Sequence, residues 1–316
     1  MPDGQTKKFD VIGLGCSCID FLGIVPHLPR LDEEVEMIES MQQGGGEVAT
    51  ALVTLARLGS SVAYLGKVGD DPVGVMIRHD FQRHGVNTDQ LLTVPGARSL
   101  SAIVLVDQKT GKRSIVAGKS TCGDLQARDI AEGFIEQAKF LHLDGTWVDA
   151  AIAAADRARR TGGIVVLDAD VSALGPQVQD LIQRTDVLIA SKPFAQEYTG
   201  CDKPVPAMAE LTGAGPETVI VTLGDQGGVG HANGRSFRFS AFAVEVVDTT
   251  GAGDVFHGAF IYGLLQRWST ERVVQFAAAV AAIKCTKLGG RTGIPDLEMT
   301  QEFLEKRGES FRFEFL

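Results

Sequence analysis

The chain has 316 residues, 44% of them hydrophobic and 22% charged, which excludes a disordered protein and is enough for a sizeable core. Its 30 Lys and Arg against 40 Asp and Glu give a net charge of −10, so neither nucleic acid nor an anionic membrane surface is an expected partner. No apolar stretch approaches the roughly 18 residues of a spanning helix, MPDGQTKKFD lacks the apolar run of a signal peptide, and Cys16, Cys18, Cys122, Cys201 and Cys285 form no disulfide framework, so a cytoplasmic protein is expected.

FDVIGLG (9–15) reads as a buried strand. Val48, Ala51, Leu52 and Leu55 then follow helical spacing, with Gly59 as the stop. SVAYLGKVG (61–69) reads as a strand and VGVMIRHDFQRHG as a helix ending at Gly85. Further strands are KFLHL (139–143), GIVVLD (163–168), DVLIAS (186–191) and TVIVTL (218–223), with helices between them such as the alanine-rich 149–160. Two long helices, about 254–268 and 271–287, follow. This alternation argues for an α/β fold with a mainly parallel sheet covered on both faces.

Two segments break the rhythm. Residues 34–41 alternate partly through Val35 and Met37, and 100–107 followed by 113–117 reads as a hairpin around Lys109-Thr110-Gly111-Lys112. They suggest a small, mainly antiparallel sheet, a lid of about 17–44 and 97–120 inserted in one core that spans 1–316. On that lid strand Asp32, Glu33 and Glu34 either repel an anionic acceptor or are merely solvated.

The 37 glycines are close to twice the roughly 7% of average proteins. They cluster at 44–46, 224–228, 251–253 and 289–290, where a backbone turns sharply or approaches a ligand. The sharpest segment is Val246-Val247-Asp248-Thr249-Thr250-Gly251-Ala252-Gly253-Asp254-Val255-Phe256. An extended run ends in a Gly-x-Gly turn that opens an apolar helix, with Asp254 in its first turn. Unpaired N–H groups and the helix dipole make an anion hole there. The same field is expected to keep Asp254 ionised, able to take a proton from a hydroxyl held against it. Alone, GAGD would read as an ordinary capped turn.

DTTGAGDVFHGAF resembles the C-terminal signature of the ribokinase (pfkB) family of ATP-dependent carbohydrate kinases. GGGEVATALVTLARLGSSVAYLGKVGDDPVG (44–74) resembles its N-terminal signature, VIVTLGDQGGV (219–229) the strand and turn beside the nucleotide, and AAIKCTKLGGRTGIPD (281–296) the last helix and the loop over adenine. The resemblance implies a ribokinase-like, doubly wound α/β fold with a β-sheet lid, ATP and Mg²⁺, with K⁺ in many members, and a homodimer formed through the lid. By the same token Asp254 matches the catalytic base, and Gly251, Ala252 and Gly253 the anion hole. Asp20, Gly45 and Gly46 match sugar-hydroxyl contacts. Thr222, Gly224 and Gly227 match the nucleotide loop, and Asp248 and Thr250 a monovalent-cation site.

Departures are informative. Thr50 stands where the family carries an asparagine that touches substrate, so the sugar's identity is not inherited. The family's Asn-x-x-Glu, tied to magnesium, falls on Ser191-Lys192-Pro193-Phe194, which puts the Lys192 cation near the phosphates, as in ketohexokinase-like members. LGGRTGIPD is similar to the sulfofructose-kinase-like branch. Arg113 either reaches a phosphate or is a solvated strand-edge cation. Two decoys fall away: 113–120 ends in GKS without the opening glycine of a P-loop, and Gly13-Leu-Gly15-Cys-Ser-Cys18 leads into two prolines instead of a dinucleotide-binding helix. Of the six histidines none forms a defensible ligand pair, and His257, one turn past Asp254, reads as packing, with a place near the substrate end as the alternative.

The function expected is transfer of phosphate from ATP to a hydroxyl of a sugar or related polyol. The alternatives are a nucleoside or sugar-phosphate acceptor, a regulator that binds sugar or nucleotide without turnover, and, on the Gly-Leu-Gly turn alone, a nicotinamide oxidoreductase.

Overall fold

The computed structural model describes residues 7–316. In chain order its strands are β1 (Phe9–Leu14), β2 (Cys18–Val25), β3 (Glu39–Gly45), β4 (Val62–Gly69), β5 (Asn87–Val94), β6 (Ser101–Asp107) and β7 (Arg113–Ala117). They continue as β8 (Ala138–Leu143), β9 (Ile164–Ala169), β10 (Val187–Ser191), β11 (Thr218–Thr222), β12 (Gly228–Ala232), β13 (Arg235–Phe239) and β14 (Phe313–Phe315). The helices are α1 (Glu47–Arg57), α2 (Pro72–Arg83), α3 (Val148–Arg160), α4 (Val178–Ile182), α5 (Lys192–Thr199), α6 (Pro204–Gly213), α7 (Ala252–Leu265), α8 (Thr270–Lys284) and α9 (Leu297–Arg307).

A 10-stranded sheet runs β14-β13-β12-β11-β10-β9-β8-β1-β4-β5, parallel from β11 to β5 and antiparallel at the β12–β14 edge. Its central strands are apolar on both sides because each side faces helices. Phe140, Val166, Ile189 and Ile220 point into one core with α1, α7 and α8, while Leu141, Leu143, Val165 and Leu167 point into the other with α3 and α6. The α7 helix is buried from Val255 through Gly263, wedged between α1 and α8, which explains its lack of a polar face. A positive φ at Gly59 ends α1 where the sequence places the stop.

A second, 4-stranded sheet runs β3-β2-β6-β7, with β2 and β6 parallel at its centre. Leu22, Ile24, Val104, Val106 and Leu288 form the small core on its inner face. On the outer face Phe21, Ile103 and Val116 lie in register across three strands, and all three are exposed.

The expected strand at 34–41 is displaced. The strand begins only at Glu39, just after the Ile38 N–H donates to Ile24 O at 2.8 Å, and 31–38 run over the surface with only Val35 half-buried. Glu33 is held instead by His27 at 2.8 Å and by the Arg30 N–H at 2.9 Å, with Asp32 left-handed at φ 61. The acidic trio is thus in a surface loop, and its alternation with Val35 and Met37 is not that of a strand. Conversely, the segment that opens with Cys18 forms β2. Pro26 and Pro29 lie beyond Val25 and only end the strand.

Candidate active site

The C-terminal edge of the parallel strands gathers the candidate residues, where open α/β sheets place ligands. At the GAGD turn, Asp248 is fully buried. Its Oδ1 accepts the Thr250 N–H (2.8 Å) and hydroxyl (2.7 Å), and its Oδ2 accepts the Gly289 N–H (2.7 Å). This carboxylate ties the turn before α7 to the loop after α8. Gly251 caps α7 with φ 72, and a Cβ there would lie 2.9 Å from Gly290 Cα. A Cβ on Gly253 would meet nothing within 4 Å, and its φ is not positive. The first-turn N–H groups of Gly253 and Asp254 have no intrahelical acceptor. The tight glycine is therefore Gly251, and Gly253 borders open space. Gly253→Val should leave the fold intact and fill the anion hole. Gly251→Val should cost about 1–2 kcal/mol from the left-handed backbone alone, with the Gly290 contact in addition. Melting temperatures and turnover of the two variants, measured together, check this contrast.

Asp254 is half-buried in the first turn of α7. Burial pushes its carboxyl up to about 7, against the pull of Arg113, its own backbone N–H and Arg291, and with repulsion from Asp20. The expectation that the helix end keeps it ionised meets an opposing effect: desolvation raises the carboxyl towards neutrality. Arg113 reaches the turn from β7, its Nη1 3.3 Å from Thr249 Oγ1.

On the other side of Asp254, Asp20 is buried, accepts the Cys18 thiol at 3.1 Å and lies over Gly45, whose missing side chain makes the room. Burial raises its carboxyl, and Arg291 counteracts. Gly46 takes φ 99 against the Cys16 carbonyl before α1 begins. The Thr50 hydroxyl is 2% exposed and accepts Nε of Arg291 at 3.2 Å, so it reaches a ligand only through that arginine. Arg291 also donates to Gly45 O at 3.0 Å and to the Asp80 carboxylate, and its N–H to Gln43 Oε1 at 3.3 Å. The 289–292 loop, expected over adenine, therefore packs on the di-glycine strand.

At the far end, Ser191 and Thr222 are paired neighbours at the tips of β10 and β11. Lys192 opens α5 and is exposed, Thr222 donates to Ala190 O at 3.3 Å, and Gly224 is exposed with φ 63. Gly227 differs: φ is 81 and a side chain would collide with Phe239 O, so it serves the turn.

Residues 7–297 match the family described as pfkB family carbohydrate kinase. The chain belongs to the pfkB family of carbohydrate kinases. It is 31% identical over 301 residues to the ribokinase of Haemophilus influenzae (92% of this chain, 97% of that protein). It is 26% identical over 328 residues to the 5-dehydro-2-deoxygluconokinase of Clostridium perfringens (97% and 96%). The crystal structure of ribokinase from Thermotoga maritima superposes with a TM-score of 0.80 at 27% identity, covering 94% of this chain and 99% of that one. The two decoys are decoys in the structure as well: β7 is followed by no helix at Ser120, and β2 rather than a helix follows β1. No helix among the described residues is long and apolar enough to cross a membrane.

This pfkB kinase carries groups that the sequence did not single out. Glu47, Asp144, Asp168 and Asp170 crowd beneath Asp254. Glu47 accepts the Ser172 hydroxyl at 3.1 Å, and Asp170 that of Ser191 at 2.7 Å. Burial, then repulsion from Asp144 and Asp254, pushes the Glu47 carboxyl up to about 9. The usable signal is positional: Asp144 and Asp170 each directly follow an apolar strand, and Asp168 is the last residue but one of β9. His257 is packed in the core, as expected. His142 and His257, rings 5.6 Å apart, meet Asp168 in the core, because β8, β9 and α7 converge there.

Lys284 was also missed. Fully buried at the end of α8, it donates Nζ–H to Asp248 O at 2.8 Å, beside the Asp248 carboxylate. Both Asp248 oxygens are already engaged by N–H and O–H donors, and a fixed ammonium supplies the positive charge. Asp248 and Thr250 therefore do not fit a site that takes a monovalent cation from solution.

Proposed function

We propose that this kinase phosphorylates a hydroxyl of a neutral sugar or related polyol, with Asp254 as the base. The observation that carries the reading is the convergence of Asp254, Asp20, Arg291 and Arg113 around the open first turn of α7. Asp20 accepts acceptor hydroxyls over Gly45 and Gly46, and Arg291 is neutralised by Asp80 and held by Thr50, so this end of the site favours hydroxyls over anions. Asp254 orients the reacting hydroxyl and takes its proton as the bond to phosphorus forms. The N–H groups of Gly253 and Asp254, behind the Gly251-Ala252 turn, face the transferring phosphoryl group, and Arg113 from the lid completes its charge stabilisation. Lys192, Thr222 and Gly224 flank the remaining phosphates of ATP.

The donor chemistry fits Mg²⁺: Glu47 and Asp170 are oxygen donors without a basic partner among the described residues, and they stand in for the lost Asn-x-x-Glu. When bound, Mg²⁺ neutralises phosphate charge. A coupled ADP-release assay over neutral sugars, sugar acids, sugar phosphates and nucleosides tests the assignment. A sugar phosphate or nucleoside turned over more efficiently than every neutral sugar would reject it.

Lys284 takes the place of K⁺ in this reading. Turnover should be the same in buffers containing K⁺, Na⁺ or only a bulky organic cation, and Lys284→Met should lower it. Several-fold activation of the unaltered protein by K⁺ would refute the substitution.

The exposed row of Phe21, Ile103 and Val116 supports pairing of two lids in a homodimer, since an apolar face on so small a sheet is stabilised by cover. Sedimentation should show a dimer for the unaltered protein and a monomer for Phe21→Asp.

A further inference from the structure

We infer that His142, Asp168 and His257 form a binding site for a divalent transition-metal cation of the zinc class, distinct from the Mg²⁺ that accompanies ATP. One ligand atom from each residue, a ring nitrogen or a carboxylate oxygen, lies within 4.8 Å of the other two, and all three side chains are buried. Nε2 of His257 is 3.4 Å from Asp168 Oδ1. That is long for a hydrogen bond but close to the roughly 3.3 Å edge of a tetrahedron whose ligands sit about 2.0–2.1 Å from zinc.

The tautomer also suits a ligand. Nδ1 of His142 faces the Val166 carbonyl at 3.4 Å, and the tautomer protonated at Nδ1 leaves Nε2 its lone pair. That Nε2 has no hydrogen-bond partner. Orphaned polar atoms in a core this well packed are costly unless something binds them. The surroundings draw a cation: the carboxylates of Glu47, Asp254, Asp144 and Asp170 all bear on Asp168. Two imidazoles with one carboxylate suit zinc, cobalt or nickel, whereas magnesium prefers an all-oxygen shell.

The placement gives the ion a task. His142 and Asp168 alternate with Leu141, Leu143 and Leu167, so they point to the face of the sheet that α7 covers. His257 descends from α7 one turn after Asp254. A bound ion rivets two strands to the helix that bears the base.

Tag-free protein, stripped with a chelator and titrated with Co²⁺, should bind one equivalent per chain with the intense visible bands of tetrahedral cobalt, and Zn²⁺ should abolish them. His142→Gln and His257→Gln should each lose the bands and bind at least about 100-fold more weakly, with far-ultraviolet circular dichroism unchanged. No bands in the unaltered protein, or bands that persist in both variants, would overturn the site. Should the variants not fold, X-ray absorption of the cobalt-loaded protein decides: two imidazoles around the metal uphold the assignment and fewer overturn it.

Discussion

Asp254→Asn should lower turnover by about 10²–10⁴, the usual weight of a positioned acid–base group, while ATP binding is kept. Asparagine has the same size and fits the first turn of α7, but it accepts no proton. A pH dependence should accompany the loss. Burial sets the Asp254 carboxyl at about 7, and only the ionised form can act as base. The kcat/KM of the unaltered protein should therefore fall tenfold per unit as pH drops below about 7 and level off above it. The limb belongs to the free enzyme and should be missing from the residual activity of the variant. Full turnover by Asp254→Asn, or a flat profile between pH 5 and 8, would assign the proton transfer elsewhere.

Arg291→Leu should destabilise the fold by about 3–5 kcal/mol, the usual result of stranding one partner of a buried ion pair. Arg291 is 4% exposed and engages Asp80, Gly45 and Thr50. Burial works against the Asp80 charge, and Arg291, helped by His84 and Arg83, holds that carboxyl below its ordinary range. Arg83 is largely exposed and cannot replace Arg291. The loss should appear as a lower denaturant midpoint, and Asp80→Asn combined with Arg291→Leu should recover part of it. A midpoint within experimental error of the unaltered protein would show that the pair contributes nothing.

The difference between what could and could not be read from the sequence lies in sequence distance. The turn at 246–256 was legible because strand, glycines and acid follow one another, and local rules act on neighbours. The core strands were legible for the same reason: an apolar run buried on both faces has no competing reading. Asp80 and Arg291, 211 residues apart, and His142 with Asp168 and His257 meet only because strands and helices pack, and no period or motif announces that. The alternation at 34–41 misleads because short alternation also occurs in a surface loop. What decides the outcome is a hydrogen-bonded turn from His27 to Glu33 that engages the Glu33 carboxylate. Asp254 itself is legible in the sequence, but its ionisation does not follow from the helix end alone. How far burial would oppose that field depended on neighbours contributed by β2, β7 and the loop after α8.

The parallel ladder between β2 and β6 governs how the small sheet can move. Its two central strands belong to distant parts of the chain, Ile19 pairing with Ser101 and Val25 with Asp107. Neither can peel away as a local hairpin without breaking the ladder along its whole length. Were the small sheet to act as a lid, its opening would be a swing of the intact plate about the peptide joints near residues 15–17, 46, 95–100 and 118. Two of these joints, at Gly46 and Gly96, already carry a positive φ. Residues that a ligand protects from exchange should lie at those joints more than within the strands, and stiffening a joint should slow the release of product without touching the chemistry.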